Sequence, residues 1–205
     1  MKVLILNGSP HQNGNTATAL NEMARIFEAE GITVETVHLG HLPIRGCIGC
    51  GACYKLKKCT FEDIVNDLAV KFEDADGLIV GSPVYYASAN STLTACLDRL
   101  FYSTRFDKRM KVGAAIAVAR RGGITAAFDQ LNKYFTISEM PVVSSCYWNG
   151  VHGAVAGEAL QDAEGIRVVR TLAKNMAFLM RSIALGKEAY GLPEREPKAW
   201  TNFIR

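Results

Sequence analysis

No apolar run in this chain of 205 residues approaches the ~18 residues of a membrane-spanning helix, so no membrane partner is expected. The first residues lead straight into an apolar stretch and leave no room for a cleavable leader, which predicts a cytoplasmic protein. The formal net charge is only +3, and it is scattered, so no nucleic-acid-binding face is expected. No low-complexity tract interrupts a composition that is 49% apolar and 21% charged, which suits one well-buried domain. Two missing motifs narrow the chemistry. Without a Gly-Lys-Ser/Thr loop ending there is no lysine to clasp a β- or γ-phosphate, and without G-x-G-x-x-G there is no dinucleotide fingerprint. No Ser-His-Asp or Cys-His arrangement is readable either, so the chemistry is expected to belong to a cofactor.

The stretch Gly8-Ser9-Pro10-His11-Gln12-Asn13-Gly14-Asn15-Thr16 is present instead. It follows Val3-Leu4-Ile5-Leu6, which reads as a strand buried on both faces. It precedes residues 17–30, where Leu20, Met23, Ala24 and Phe27 recur at helical spacing. A strand-to-helix turn aims backbone N–H groups and the positive end of a helix dipole at one point. Ser9, Asn15 and Thr16 add short polar donors, His11 either offers another or points to solvent, and Gly8 and Gly14 let the backbone come close. A terminal phosphate monoester held by neutral donors fits such a loop; an ordinary helix cap is the plainer alternative.

Further strands are predicted at 32–39, 77–81, 111–119 and 142–147. Helices are predicted at 60–73, opened by a capping box at Thr60-Phe61-Glu62-Asp63, and at 91–102, 124–135 and 162–185. Residues 148–157 read as an irregular Gly-rich loop. Five strands alternating with helices describe an α/β doubly wound parallel sheet with helices on both faces. Residues 1–190 are expected to form a single domain with a cysteine-rich loop at 43–59. Residues 191–205, with Pro193, Pro197 and Trp200, are expected to be a tail that packs as an arm on a partner subunit.

Ligands of such sheets bind beyond the carboxyl ends of the strands, where the loops after strands one, three and four converge. Pro83, Val84, Tyr85 and Tyr86 offer flat aromatic surface, and Gly122 and Gly123 let main-chain N–H groups approach a planar ring edge. An isoalloxazine suits this set, with Arg120 or Arg121 stabilising the anion it becomes on accepting a hydride. Each tyrosine also reads as a packed aromatic, and one arginine as a solvated surface charge.

Four of the six cysteines form Cys47-x-x-Cys50-x-x-Cys53-x5-Cys59. This spacing suits a loop wrapped around a [4Fe–4S] cluster. Redox-active thiols remain open as a second reading and zinc as a third. Cys96, on an apolar helical stripe, and Cys146, in the predicted fifth strand, read as core residues.

The motifs G-S-P-x-x-x-G-N-T, S-P-V-Y-Y, A-R-R-G-G and W-N-G-V-H-G together resemble those of the flavodoxin-fold NAD(P)H-dependent FMN reductases, in the branch that includes the iron-sulfur flavoproteins. The resemblance covers at least residues 1–155 and implies a flavodoxin-like sheet of order 2-1-3-4-5. It implies that Ser9, His11, Gly14, Asn15 and Thr16 surround an FMN phosphate, and that residues 83–86 and 120–123 line the ring. It further implies NADPH or NADH as donor, ping-pong hydride transfer through FMN and a small-molecule electron acceptor. A homodimer or homotetramer is implied too, with Tyr86, Trp148, Asn149 and His152 near a substrate pocket at a subunit boundary. The cysteine spacing is similar to the compact motif of the iron-sulfur flavoproteins. An FMN electron carrier, with or without a cluster, and a redox-sensing module are the alternatives.

Overall fold

A computed structural model describes residues 1–40 and 42–203; His41 and the tail's last two residues, Ile204 and Arg205, lie outside the described residues. The strands are β1 (Lys2–Asn7), β2 (Thr33–His38), β3 (Gly77–Tyr85), β4 (Ser88–Ala89), β5 (Val112–Ala119) and β6 (Gly150–His152). The helices are α1 (Asn15–Ala29), α2 (Cys53–Leu56), α3 (Ile64–Asp74), α4 (Ser91–Ser103), α5 (Ile124–Thr136) and α6 (Ala163–Tyr190), with a 3-10 turn at Glu158–Gln161.

The parallel sheet runs β2-β1-β3-β5-β6, and β4 pairs antiparallel with the end of β3. Counting parallel strands alone, this is the expected order 2-1-3-4-5. β1, β3 and β5 are apolar on both faces because both faces are covered. One layer packs Leu20, Met23 and Phe27 of α1 with Val169, Leu172 and Met176 of α6. The other packs Leu68 and Phe72 of α3, Leu97 and Leu100 of α4, and Leu131 and Phe135 of α5. Among the described residues no helix is long and apolar enough to cross a membrane.

Three expectations are corrected. The last parallel strand is Gly150–His152 rather than 142–147. Val142 makes only an isolated bridge to Gly113, after which the chain leaves the sheet. Asn149, 1% exposed, fills the gap by donating from Nδ2 to Ala115 O at 3.1 Å, so a side chain replaces a stretch of ladder. Cys146 therefore lies exposed in a loop, whereas Cys96 is buried as expected. Second, α3 starts at Ile64: Asp63 is its cap, accepting from Val65 N at 3.2 Å. Residues 59–62 are held outside the helix by Asn66, which bonds Cys59 N, Cys59 O and Phe61 O. Third, β3 runs four residues past the predicted strand and turns back through Tyr86 and Ala87, whose φ angles are 50° and 57°. Two left-handed residues in succession match the tight turn that a right-twisted hairpin needs.

Candidate active site

Beyond the carboxyl ends of β1, β3, β5 and β6 lies a crevice of about 800 Å³, bounded by residues 9–16, 83–85, 118–120 and 153–156. α1 opens onto it. Gly14, in extended conformation, precedes the first turn, and among the described residues no side chain caps this helix end. The first-turn N–H groups and the positive end of the dipole therefore face the crevice. Ser9 Oγ accepts from His11 N at 3.1 Å, which leaves its own proton to donate. The loop is braced from behind: Asn7 Oδ1 accepts from Ser9 N at 3.0 Å, and His38 Nε2 donates to Ser9 O at 2.7 Å. Among the described residues Arg120 carries the only formal side-chain charge on the crevice wall, and no carboxylate pairs with it. The arrangement is an anion site beside a slot wide enough for a drug-sized ligand.

The fourth wall, residues 153–156, is fastened to α1. Asn15 Nδ2 donates to Val155 O at 2.9 Å, and Asn15 Oδ1 accepts from Ala159 N at 3.1 Å. Glu158 ties the same loop by accepting from Ala154 N and Val155 N at 2.6 and 3.0 Å. Both N–H groups hold its carboxyl below the usual range. Gly153 is needed here because a Cβ would sit 2.6 Å from Asn15 Nδ2.

A second, smaller pocket of about 310 Å³ lies behind the turn that follows β5. It is lined by Arg121, Gly122, Gly123, Tyr147, Trp148 and His152, among others. Gly123 has φ 94°, and a Cβ on it would lie 2.9 Å from Ala87 Cα in the β3–β4 hairpin. His152 is held by Asp162 Oδ2, which accepts its backbone N–H at 2.7 Å and lies 3.4 Å from Nδ1. Burial opposes ionisation of Asp162, but the N–H groups of Gly165 and His152 outweigh it and keep the carboxyl below its ordinary value.

Away from the crevice, all four cysteines of the 47–59 motif line one apolar pocket with Phe61, Arg99 and Tyr102. Cys47 and Cys50 form its exposed half; Cys53 and Cys59 are buried. Arg99 Nε donates to Cys59 Sγ at 3.3 Å, and Arg105 Nη2 lies 3.9 Å from Cys53 Sγ. Arg99 also forks onto Asp63, with both contacts at 2.7 Å. Burial would raise the Asp63 carboxyl; the guanidinium and Val65 N hold it down. Cys96, one turn earlier on α4, is pushed up to about 12 by burial and is an inert thiol.

A family model described as NADPH-dependent FMN reductase matches residues 1–155. The chain belongs to the NADPH-dependent FMN reductase family. An iron-sulfur flavoprotein of Methanocaldococcus jannaschii is 34% identical over 191 residues, covering 89% of this chain and 99% of that protein. One from Methanosarcina thermophila is 28% identical over 193 residues, covering 92% and 100%. A crystal structure of RosB with bound 8-demethyl-8-formylriboflavin-5′-phosphate superposes with a TM-score of 0.72 at 17% identity, covering 100% of this chain and 92% of that one. This last likeness bears on the fold alone. The FMN reductase family membership and the iron-sulfur flavoprotein relatives make this chain a flavoprotein-type oxidoreductase.

In this family member the structure divides the residues singled out from sequence. Ser9, His11, Gly14, Asn15, Thr16, Pro83, Val84, Tyr85 and Arg120 meet in the crevice. Arg121, Gly122, Gly123, Trp148 and His152 line the second pocket, and Asn149 is buried under the sheet edge. Tyr86 touches neither and is fully exposed. The 153–156 wall escaped sequence reasoning, although its place after the last parallel strand was the available signal. Arg99 escaped too; its signal was a charge on the same face as Cys96, Leu100 and Ser103 of α4.

Proposed function

We infer that the crevice binds FMN with its phosphate at the open start of α1, and that the chain is an NAD(P)H-dependent FMN oxidoreductase. The observation that carries this reading is an uncapped fifteen-residue helix facing a crevice whose one charged side chain is Arg120. Ser9 Oγ and the first-turn N–H groups of α1 serve as neutral phosphate donors, with Thr16 buried beneath them. Pro83, Val84 and Tyr85 form an apolar wall that keeps water from one side of the slot. Arg120 supplies the positive charge that favours an anionic ring. When bound, FMN would supply the two-electron chemistry of a ping-pong hydride transfer between NADPH or NADH and an acceptor. The pocket with Trp148 and His152 is the proposed place for a small-molecule acceptor, Asp162 keeping the imidazole in one orientation. Trp200 and Phe203, both exposed on the tail, support association as a homodimer or homotetramer.

The cysteine pocket favours a second role as an electron-transfer protein of the iron-sulfur flavoprotein type. Cys47, Cys50, Cys53 and Cys59 would hold a [4Fe–4S] cluster, which supplies one-electron steps when bound. Among the described residues no group of three or more His, Cys, Asp or Glu is arranged to hold a metal ion. All four cysteines line the one pocket, and their number matches the four thiolates of a cuboidal cluster.

The test is an anaerobic absorption spectrum of the purified protein, followed by NADH and then NADPH, with iron and sulfide analysis. Flavin bands that bleach promptly support the reductase; flavin that neither nucleotide bleaches transfers the weight to the electron carrier. A colourless protein that fails to take up FMN removes the crevice reading.

A further inference from the structure

Arg99 is the largest fully buried side chain of the described residues, 1% exposed. A guanidinium without water must find partners for its N–H groups, because an unmatched buried charge is destabilising. Here Nη1 donates to Asp63 Oδ2 at 2.7 Å and to Arg45 O at 3.1 Å, and Nη2 donates to Asp63 Oδ1 at 2.7 Å. The plane also lies 5.0 Å from the Phe61 ring centre. These contacts already tie α4 to the cap of α3 and to the start of the cysteine loop. Of the two donors left, the Nε–H goes to sulfur: it points at Cys59 Sγ, 3.3 Å away.

A neutral thiol is a weak acceptor and a poor match for a buried cation's donor. A sulfur that carries negative charge, as a metal-ligating thiolate does, is a good one. Among the described residues the donor contacts to the other sulfurs of the motif are longer. Cys53 has the longer Arg105 contact at 3.9 Å and itself faces Tyr102 O at 4.0 Å, and Cys47 accepts from Gly49 N at 3.5 Å on the exposed rim.

We propose that Arg99 is the positioning residue of the cysteine pocket: its Nε–H holds Cys59 Sγ in ligating position and raises the reduction potential of an iron-sulfur group bound there. The proposal rests on the cluster reading above. An N–H donor to a ligating sulfur stabilises the extra negative charge of the reduced form more than it stabilises the oxidised form. The Arg99–Asp63 fork fixes the plane of the guanidinium, so Nε meets the sulfur without a rotamer search.

The experiment uses the anaerobically prepared full chain as wild type, Arg99→Lys and Asp63→Asn. Iron and acid-labile sulfide per chain, thermal midpoint and midpoint potential in a mediated one-electron titration with dithionite are measured for each. Lysine keeps the charge and loses the fork and Nε, so the potential moves to a more negative value in Arg99→Lys while flavin content is unchanged. Asp63→Asn keeps the Nε donor and deletes a negative charge, so its thermal midpoint falls while its potential stays or rises. A merely structural Arg99 lowers the thermal midpoint in both variants and moves the potential in neither, which overturns the proposal. A variant that does not fold is replaced by wild type labelled with 15Nε-arginine. A 15N hyperfine coupling to the reduced cluster supports the proposal, and its absence in iron-loaded protein overturns it. No iron or sulfide in wild type overturns the cluster reading and this proposal with it, whereas iron with an unmoved potential overturns this proposal alone.

Discussion

The crevice and the cysteine pocket are built in opposite ways. The crevice is made by main chain: the ends of β1, β3, β5 and β6, the open start of α1, and a loop fastened across it. Any doubly wound sheet with this strand order brings those loops together, and apart from His11, Gln12, Tyr85 and Arg120 the side chains that line the crevice are small. The cysteine pocket lies away from the strand ends, where a loop meets α3 and α4, and one buried side chain, Arg99, joins the three. Truncating a side chain is therefore expected to damage the second site more than the first, and altering the backbone to do the reverse.

The largest effect is expected for Arg99→Ala. It leaves Asp63 half-sheltered without its partner and opens a void under Phe61, and breaking such a pair destabilises by about 3–5 kcal/mol. Urea denaturation followed by far-ultraviolet circular dichroism reads the loss. Flavin affinity in the protein that remains folded should match wild type, because the crevice shares no residue with this cluster. A loss of affinity in folded protein would mean that the two sites are coupled.

Gly123→Ala is expected to come next and to act on the other site. The position has φ 94°, and a new Cβ meets Val84 Cγ1 at 2.8 Å and Ala87 Cα at 2.9 Å. Left-handed strain at a non-glycine residue is about 1–3 kcal/mol. The β3–β4 hairpin must also shift, and with it the wall formed by Val84 and Tyr85. Isothermal titration with FMN should show weaker binding than the stability loss alone would suggest; unchanged affinity would separate the hairpin from the ligand.

The contrast also explains what the sequence could and could not disclose. Apolar runs such as Val3-Leu4-Ile5-Leu6 and the small-residue run of β5 mark buried parallel strands by composition alone, and the parallel sheet follows from alternation with helices, its order from the family resemblance. Three loops of the crevice were legible for the same reason. β6 was not, because Val142 and Val143 have strand composition while the strand starts after Asn149, whose amide completes the ladder. No periodicity encodes a side chain standing in for backbone. The turn at Tyr86 was hidden likewise: an aromatic beside Tyr85 reads as a wall, yet its positive φ turns the ring outward. The Arg99–Asp63–Cys59 cluster joins positions 36 and 40 residues apart along the chain, which pattern reading on one element cannot connect.

Asn15→Ala tests how far the crevice depends on fastening. Its amide is engaged with Val155 O and Ala159 N, so removal should free the 153–159 loop. Two hydrogen bonds correspond to about 1–2 kcal/mol, or roughly a tenfold loss in FMN affinity if the wall must re-form on binding. Hydrogen exchange decides the route. Faster exchange at Ala159 together with weaker binding assigns Asn15 to the wall; weaker binding with unchanged exchange assigns it to the phosphate.

The smallest effect is expected for Tyr86→Gly. Tyr86 is fully exposed, so its removal uncovers no apolar surface, and its φ of 50° is one that glycine adopts freely. Stability should rise by up to about 1 kcal/mol as left-handed strain is relieved. FMN affinity should stay the same, since the side chain does not line the crevice, whereas Tyr85 beside it does. Tyr86 follows Tyr85, which lines the crevice, so an acceptor arriving from outside is the one contact left to test for its ring. The expected signature is thus a raised acceptor KM with unaltered FMN binding. Wild-type kinetics in a stabilised variant would leave the tyrosine without a part in the reaction and limit the aromatic contribution at this rim to Tyr85.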